Sequence, residues 1–174
     1  MRSIRHSADL RPTYESAKIT MVKLNLGCGS DIKEGFVNID LIKQQGVDVV
    51  HDLSKSLPYE SGSVDFILAS DVLEHFPKAK CHGILKDWVR VLRSGGQIHV
   101  RVPNIELICE KLYKNILPDD ILIELIYGGQ NNHGNFHYNA FTKATLTAAM
   151  RGAGCSEIAR IWDSDHNSNL IGVK

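Results

Sequence analysis

From Met21 onward the chain alternates short apolar runs with amphipathic stretches, and this alternation constrains the fold more than any other feature. Buried strands interleaved with amphipathic helices build a largely parallel sheet with helices on both faces. The apolar runs place strands at 22–26, 36–40, 47–50, 64–69, 98–102, 156–162 and 170–173. The spacing predicts a helix over 80–92, with Ile84, Leu85, Trp88, Val89, Val91 and Leu92 on one face and Ser94-Gly95-Gly96 closing it. Two further helices, 105–117 and 119–127, are separated at Pro118, and a last one, 143–151, has Thr142 as its N-cap with Gly152 and Gly154 behind it. The polar stretch 163–169 between the final two strands is too short for a helix, so those strands should pair as an antiparallel hairpin. The expectation is an α/β chain with a seven-stranded, mostly parallel sheet in a single domain over residues 21–174. Residues 1–20, charged and interrupted by Pro12, read as an N-terminal arm.

Composition narrows what such a domain can do. Among 174 residues, 20 Lys+Arg balance 20 Asp+Glu, so binding of long nucleic acids through a basic face is disfavoured, because that binding rests on neutralising phosphates. No apolar run approaches the roughly 18 to 20 residues that cross a bilayer, and the first twenty hold no signal-like apolar stretch, which points to a cytoplasmic location. The four cysteines, Cys28, Cys81, Cys109 and Cys155, show neither a CxxC pair nor zinc-ligand spacing. They read as free thiols, and no metal is expected.

The first strand runs into Leu24-Asn25-Leu26-Gly27-Cys28-Gly29-Ser30-Asp31. Two glycines one residue apart after a buried strand let the backbone turn sharply and approach a ligand where a Cβ would intrude. A dinucleotide-binding turn would need a third glycine at position 32, where Ile32 stands, which counts against a nicotinamide cofactor. Acids or small polar groups close the following strands: Asp40, Asp52, then Ser70 and Asp71. In open α/β sheets ligands lie outside the carboxyl ends of the strands. There a carboxylate at Asp40 can accept from both ribose hydroxyls. One at Asp52 can accept from an exocyclic amine, while the next backbone N–H meets a ring nitrogen. Any one of these is equally a turn-forming Asp, but four consecutive strand ends form a series.

That series carries a resemblance. LNLGCG at 24–29, NID at 38–40, HDL at 51–53, LPY at 57–59 with SVD at 63–65, SDVLEH at 70–75 and VLRSGG at 91–96 resemble the ordered motifs of class I S-adenosylmethionine-dependent methyltransferases, most of all the small type 11 group. The resemblance implies a Rossmann-like methyltransferase sheet and S-adenosylmethionine as cofactor, with S-adenosylhomocysteine as product. Gly27 and Gly29 would pass under its methionine part, with Cys28 lining the turn through its backbone. Asp40, beside Leu41, would hold the ribose diol, Asp52 and Leu53 would read adenine, and Ser70 would contact the methionine end through its backbone. Asn25 stands where many members carry an acid, so amino-group recognition would run through Asn25 or water. The connection 27–35 is short for a βαβ crossover, so the first helix should be little more than a turn.

Methyl transfer from a sulfonium needs alignment of acceptor, methyl and sulfur, and a proton acceptor where the acceptor's pKa demands one. His75 follows the fourth strand, and an imidazole can serve as a base near neutral pH. The polar, glycine-rich segment 128–139 supplies His133, His137 and Tyr138 as further catalytic candidates. Asp71, Glu74 and His75 share i, i+3, i+4 spacing, so a divalent metal completed from the 133–137 loop is a rival reading. The leading expectation is a methyltransferase acting on O or N of a small-molecule or glycan-related acceptor, as a monomer or homodimer. The alternative is a catalytically silent module that binds S-adenosylmethionine or its product.

Overall fold

The computed structural model describes residues 21–116, 118–164 and 166–174; the arm over 1–20 lies outside the described residues. Among the described residues seven strands form one sheet: β1 (Lys23–Leu26), β2 (Val37–Asp40), β3 (Val49–Val50), β4 (Val64–Ser70), β5 (Leu92–Pro103), β6 (Glu157–Ser164) and β7 (Asn167–Val173). Among the described residues four helices accompany them: α1 (Lys78–Val91), α2 (Ile105–Tyr113), α3 (Asp119–Tyr127) and α4 (Lys143–Ala153), with a 3-10 turn at Leu73–His75. The sheet order is β3-β2-β1-β4-β5-β7-β6. The first five strands are parallel, and β7 runs antiparallel to both β5 and β6. The seven-stranded, mostly parallel sheet with a C-terminal antiparallel hairpin is the architecture expected.

Chain order reverses direction between β1 and β4: the chain steps outward from β1 to β3, then returns to pair β4 on the other side of β1. That switch point opens a crevice above the carboxyl ends of β1 and β4. β1 is central and continuous in burial, with Leu24, Asn25 and Leu26 all shielded from solvent. Side-chain alternation then divides β5: Ile98, Val100 and Val102 are fully buried, whereas His99 and Arg101 between them are half-buried. α1 and α4 pack on each other and on β5, β6 and β7. Cys81, Ile84, Leu85, Trp88, Val89 and Val91 of α1 meet Leu146 and Met150 of α4 in the same core.

Local chemistry sets the boundaries. Thr142 caps α4 through a reciprocal pair, its Oγ1 accepting from Thr145 N–H while Thr145 Oγ1 accepts from Thr142 N–H. Gly154, with φ 113°, ends that helix. The expected closure of α1 by Ser94-Gly95-Gly96 is corrected: the helix stops at Val91, and these residues begin β5. Gly96 sits where β5 crosses a register shift against β4, and a Cβ there would lie 3.2 Å from the Val64 and Asp65 carbonyl oxygens of β4 and 2.9 Å from that of Arg93 in β5 itself, so the glycine serves close strand approach. The polar 163–169 stretch is largely absorbed into the hairpin strands, which pair Ser164 with Asn167. α2 ends at Tyr113, earlier than its apolar pattern implied. Between β1 and β2, and between β2 and β3, the described residues form no helix.

Removing side-chain volume from the α1–α4 core costs more than removing the cap. Leu85→Ala, at a fully buried position, should lower unfolding free energy by about 2–5 kcal/mol, against about 0.5–2 kcal/mol for Thr142→Ala. Urea denaturation of the two variants beside the wild type checks the order.

Candidate functional site

The glycine turn after β1 is held by side chains in place of a helix. Asn25 Nδ2 donates to the Asp31 carbonyl at 2.8 Å and to Asn38 Oδ1 at 2.9 Å. Asn38 Oδ1 also accepts from Lys33 N–H at 2.9 Å, and its amide donates back to the Lys33 carbonyl. Asp48 closes the network by accepting from the Asn38 backbone N–H at 2.8 Å. Asn25 and Asn38 are buried and hydrogen-bonded, as buried amides must be. The turn itself needs its glycines. Gly27 has φ 61°, and a Cβ there would stand 2.7 Å from Val72 Cγ2; Gly29 has φ 49°, and a Cβ there would project into open space.

That open space is a cavity of about 550 Å³ over the switch point, within the usual range for small-molecule sites. Gly27, Gly29, Asp40, Leu41, Asp52 and Leu53 line it together. Asp40 Oδ2 accepts from Gly29 N–H at 2.8 Å and Oδ1 from Ile42 N–H at 2.9 Å, so the carboxylate orients the turn it faces. Asp52 Oδ1 accepts from Ser54 N–H at 2.9 Å, and hydrogen bonding from Ser54 holds that carboxyl below its ordinary range. Three of the expected cofactor residues lie elsewhere. Asn25 is committed to the network beneath the turn. Cys28 is buried with its N–H donated to the Ile39 carbonyl, and burial, then the charge of Asp40, pushes its thiol pKa up, the opposite of an activated nucleophile. Ser70 is half-buried at the end of β4 and does not line this cavity.

Of the catalytic candidates, His75 and His133 line the same cavity, His75 from the 3-10 turn and His133 from the exposed tip of the 128–139 segment. His137 lies behind them, lining a smaller cavity of about 260 Å³ together with Asp71, Glu74, Arg101 and Glu124. Burial, then the charge of His75, lowers its pKa and so favours the neutral imidazole. Tyr138 is largely exposed, stacks on Phe136 and lines neither cavity. Its backbone N–H donates to the Glu74 carbonyl, which ties the 128–139 segment to the turn after β4.

Sequence reasoning passed over Ser54, Val72, Phe76, Asn132 and Asn135, which also line the larger cavity. Val72 was legible in principle, because its side chain is what Gly27 must clear. It also grouped Asp71 with Glu74 and His75. In the structure Asp71 has a left-handed backbone (φ 55°), donates its N–H to the Arg101 carbonyl, and is bound through its carboxylate by the Arg101 guanidinium. His137 takes the place beside His75 and Glu74 instead.

A sheet of this order with a glycine turn and acids at its switch point defines the class I S-adenosylmethionine-dependent methyltransferase fold, and solved structures bear that out. A protein of Bordetella parapertussis described as a possible exported protein aligns with a TM-score of 0.64 at 16% identity, over 89% of this chain and 62% of its own. A SAM-dependent methyltransferase of Archaeoglobus fulgidus aligns with a TM-score of 0.63 at 14% identity, over 90% and 87%. The 1,6-didemethyltoxoflavin-N1-methyltransferase of Burkholderia thailandensis, solved with that substrate and S-adenosylhomocysteine bound, aligns with a TM-score of 0.59 at 16% identity, over 88% and 70%. No curated protein matches by sequence. Residues 20–100 match the type 11 family described as "Methyltransferase domain". That match spans 81 of the 174 residues, a little under half of the chain. Among the described residues no helix is long and apolar enough to cross a membrane.

The network beneath the turn should be cooperative. Asn25→Ala and Asn38→Ala each leave a buried partner unsatisfied and should cost about 1–3 kcal/mol, with the double variant losing measurably less than the sum; a double-mutant cycle by chemical denaturation reads this. Hydrogen bonds from the Asn38 backbone and side chain hold Asp48 below its ordinary carboxyl range. Its stabilising contribution is therefore present above that range and lost as pH falls through the lowered value. Acid titration of stability should be flatter in Asp48→Asn than in wild type.

Proposed function

We propose that this protein transfers a methyl group from S-adenosylmethionine to an oxygen or nitrogen of a small polar acceptor, glycan-related compounds included. The observation that carries this reading is that one cavity brings Gly27, Gly29, Asp40, Asp52 and Leu53 together with His75 and His133. The turn after β1 supplies room for a ligand against its backbone, and the Asp40 and Asp52 carboxylates offer acceptors for ribose hydroxyls and an adenine amine. When bound, S-adenosylmethionine supplies a methyl group already activated on a sulfonium.

The chain's own contribution is positioning and proton transfer. The smaller cavity shares Asp71 and Asn135 with the larger one, so an acceptor lodged there lies next to the donor cavity. Its size and its polar lining of Asp71, Glu74, Glu124 and Arg101 suit a compact polar molecule. A His75 or His133 imidazole at the donor cavity can take the proton from a hydroxyl or ammonium acceptor, and neutral His137 can do so from the smaller cavity. Zero formal net charge agrees with an acceptor that is not a long polyanion.

Calorimetric titration with S-adenosylhomocysteine tests the cofactor site. Asp40→Ala removes charge-assisted bonds to the ribose, each worth about 1.5–3 kcal/mol, so affinity should fall at least tenfold. Unchanged affinity would overturn the assignment. Production of S-adenosylhomocysteine in a panel of small hydroxyl and amine acceptors, with transfer RNA as the polyanionic comparison, then tests the acceptor class.

A further inference from the structure

Behind the donor cavity three ligand-type side chains converge without bonding one another. Glu74 and His75 come from the 3-10 turn after β4 and His137 from the 128–139 segment; one potential ligand atom from each lies within 4.8 Å of the other two. The two imidazoles stand edge to face with centroids 4.8 Å apart. Glu74 is 1% exposed, and neither of its carboxylate oxygens has a hydrogen-bond partner among the described residues. A buried carboxyl left bare in this way is costly, and apolar side chains of similar volume would avoid the cost. Burial accordingly drives its pKa well above the ordinary carboxyl range.

The imidazoles are set in complementary fashion. His75 Nδ1 lies 3.0 Å from the Phe136 carbonyl oxygen, and His137 Nδ1 lies 3.1 Å from the Leu125 carbonyl oxygen. A carbonyl oxygen can only accept, so Nδ1 of each ring carries a proton, and in the neutral form of each ring Nε2 is left with the lone pair. A backbone carbonyl on the far nitrogen is the device that fixes tautomer and ring orientation in metal-ligating histidines. The neighbouring Asp71 carboxylate is taken by Arg101 and is not free to join the set.

We propose that Glu74, His75 and His137 form a binding site for one divalent transition-metal ion. Two imidazoles and one carboxylate suit Zn²⁺, Fe²⁺, Co²⁺ or Mn²⁺, whereas Mg²⁺ and Ca²⁺ take oxygen-rich sets. Because His75 lines the larger cavity while Glu74 and His137 line the smaller, the ion is held between the two. Its ligands are not the residues assigned to ribose or adenine, so metal binding and S-adenosylhomocysteine binding can be measured separately; with the ion bound, His75 and His137 serve as ligands and His133 is the imidazole left to take a proton at the donor cavity.

The test is titration of the metal-stripped full chain with Co²⁺, followed by its visible absorption, and equilibrium dialysis against Zn²⁺ with elemental analysis. One ion per chain is expected, together with a rise in melting temperature on adding Zn²⁺. Affinity should fall at least tenfold in Glu74→Gln and in His137→Ala, and stay unchanged in His82→Ala, which alters an exposed histidine outside the cluster. Calorimetry with S-adenosylhomocysteine on each variant reports whether the fold is retained. If one variant does not fold, the other and His75→Gln carry the comparison. Absence of a stoichiometric ion in wild type, undiminished affinity in the folded Glu74 and His137 variants, or an equal loss in His82→Ala would each overturn the proposal.

Discussion

The hydrogen bond between the buried amides of Asn25 and Asn38 is the contact on which the carboxyl edge of this sheet depends. It joins adjacent positions of β1 and β2, paired in register. It also gathers the connection between those strands, because both side chains reach its backbone, at Asp31 and at Lys33. A helix in that connection would satisfy its own backbone groups and dock by apolar contact. Without one, the polar groups of the loop have to be met from the strands, and two asparagines in the sheet do so. Everything ligand-facing on this side follows from that: the position of Gly29, the N–H that Gly29 gives to Asp40, and the opening of the cavity between them.

The fold was legible because its signals are periodic and local. α3 runs from Asp119 to Tyr127, within bounds set by Pro118 and the following glycines, and α4 begins after the Thr142 cap. Strand positions were likewise legible from apolar runs, although β5 starts six residues earlier than Ile98, since Ser94-Gly95-Gly96 read as a helix stop. Gly96 meets a tertiary demand, the close approach of β5 to β4, which one-dimensional periodicity does not encode.

The site was legible in one half. Gly27, Gly29, Asp40, Asp52 and Leu53 stand at strand ends, and strand ends of a parallel sheet meet at one edge by topology alone. The other half depends on where the 128–139 segment folds back. Helical spacing grouped Asp71 with Glu74 and His75, but a left-handed residue at Asp71 breaks that geometry and hands its carboxylate to Arg101, thirty positions away. His137 reaches His75 because the Tyr138 and Asn139 N–H groups bond the Glu74 carbonyl. Such long-range backbone bonds leave no trace in local sequence pattern.

The pairing of Asp40 with the Gly29 N–H carries a thermodynamic consequence. The same carboxylate that faces the cavity restrains the loop forming its floor, so occupancy and loop order draw on one group. A ligand that binds only the folded chain adds RT ln(1 + [L]/Kd) to its stability, about 2.7 kcal/mol at a hundredfold excess over Kd. In a domain whose first crossover is stitched by a few amide bonds, that increment bears on the same segment the ligand touches. Under the proposed function, the lifetime of the folded chain against proteolysis would track the supply of methyl donor, making the nucleoside a structural element as well as a reagent.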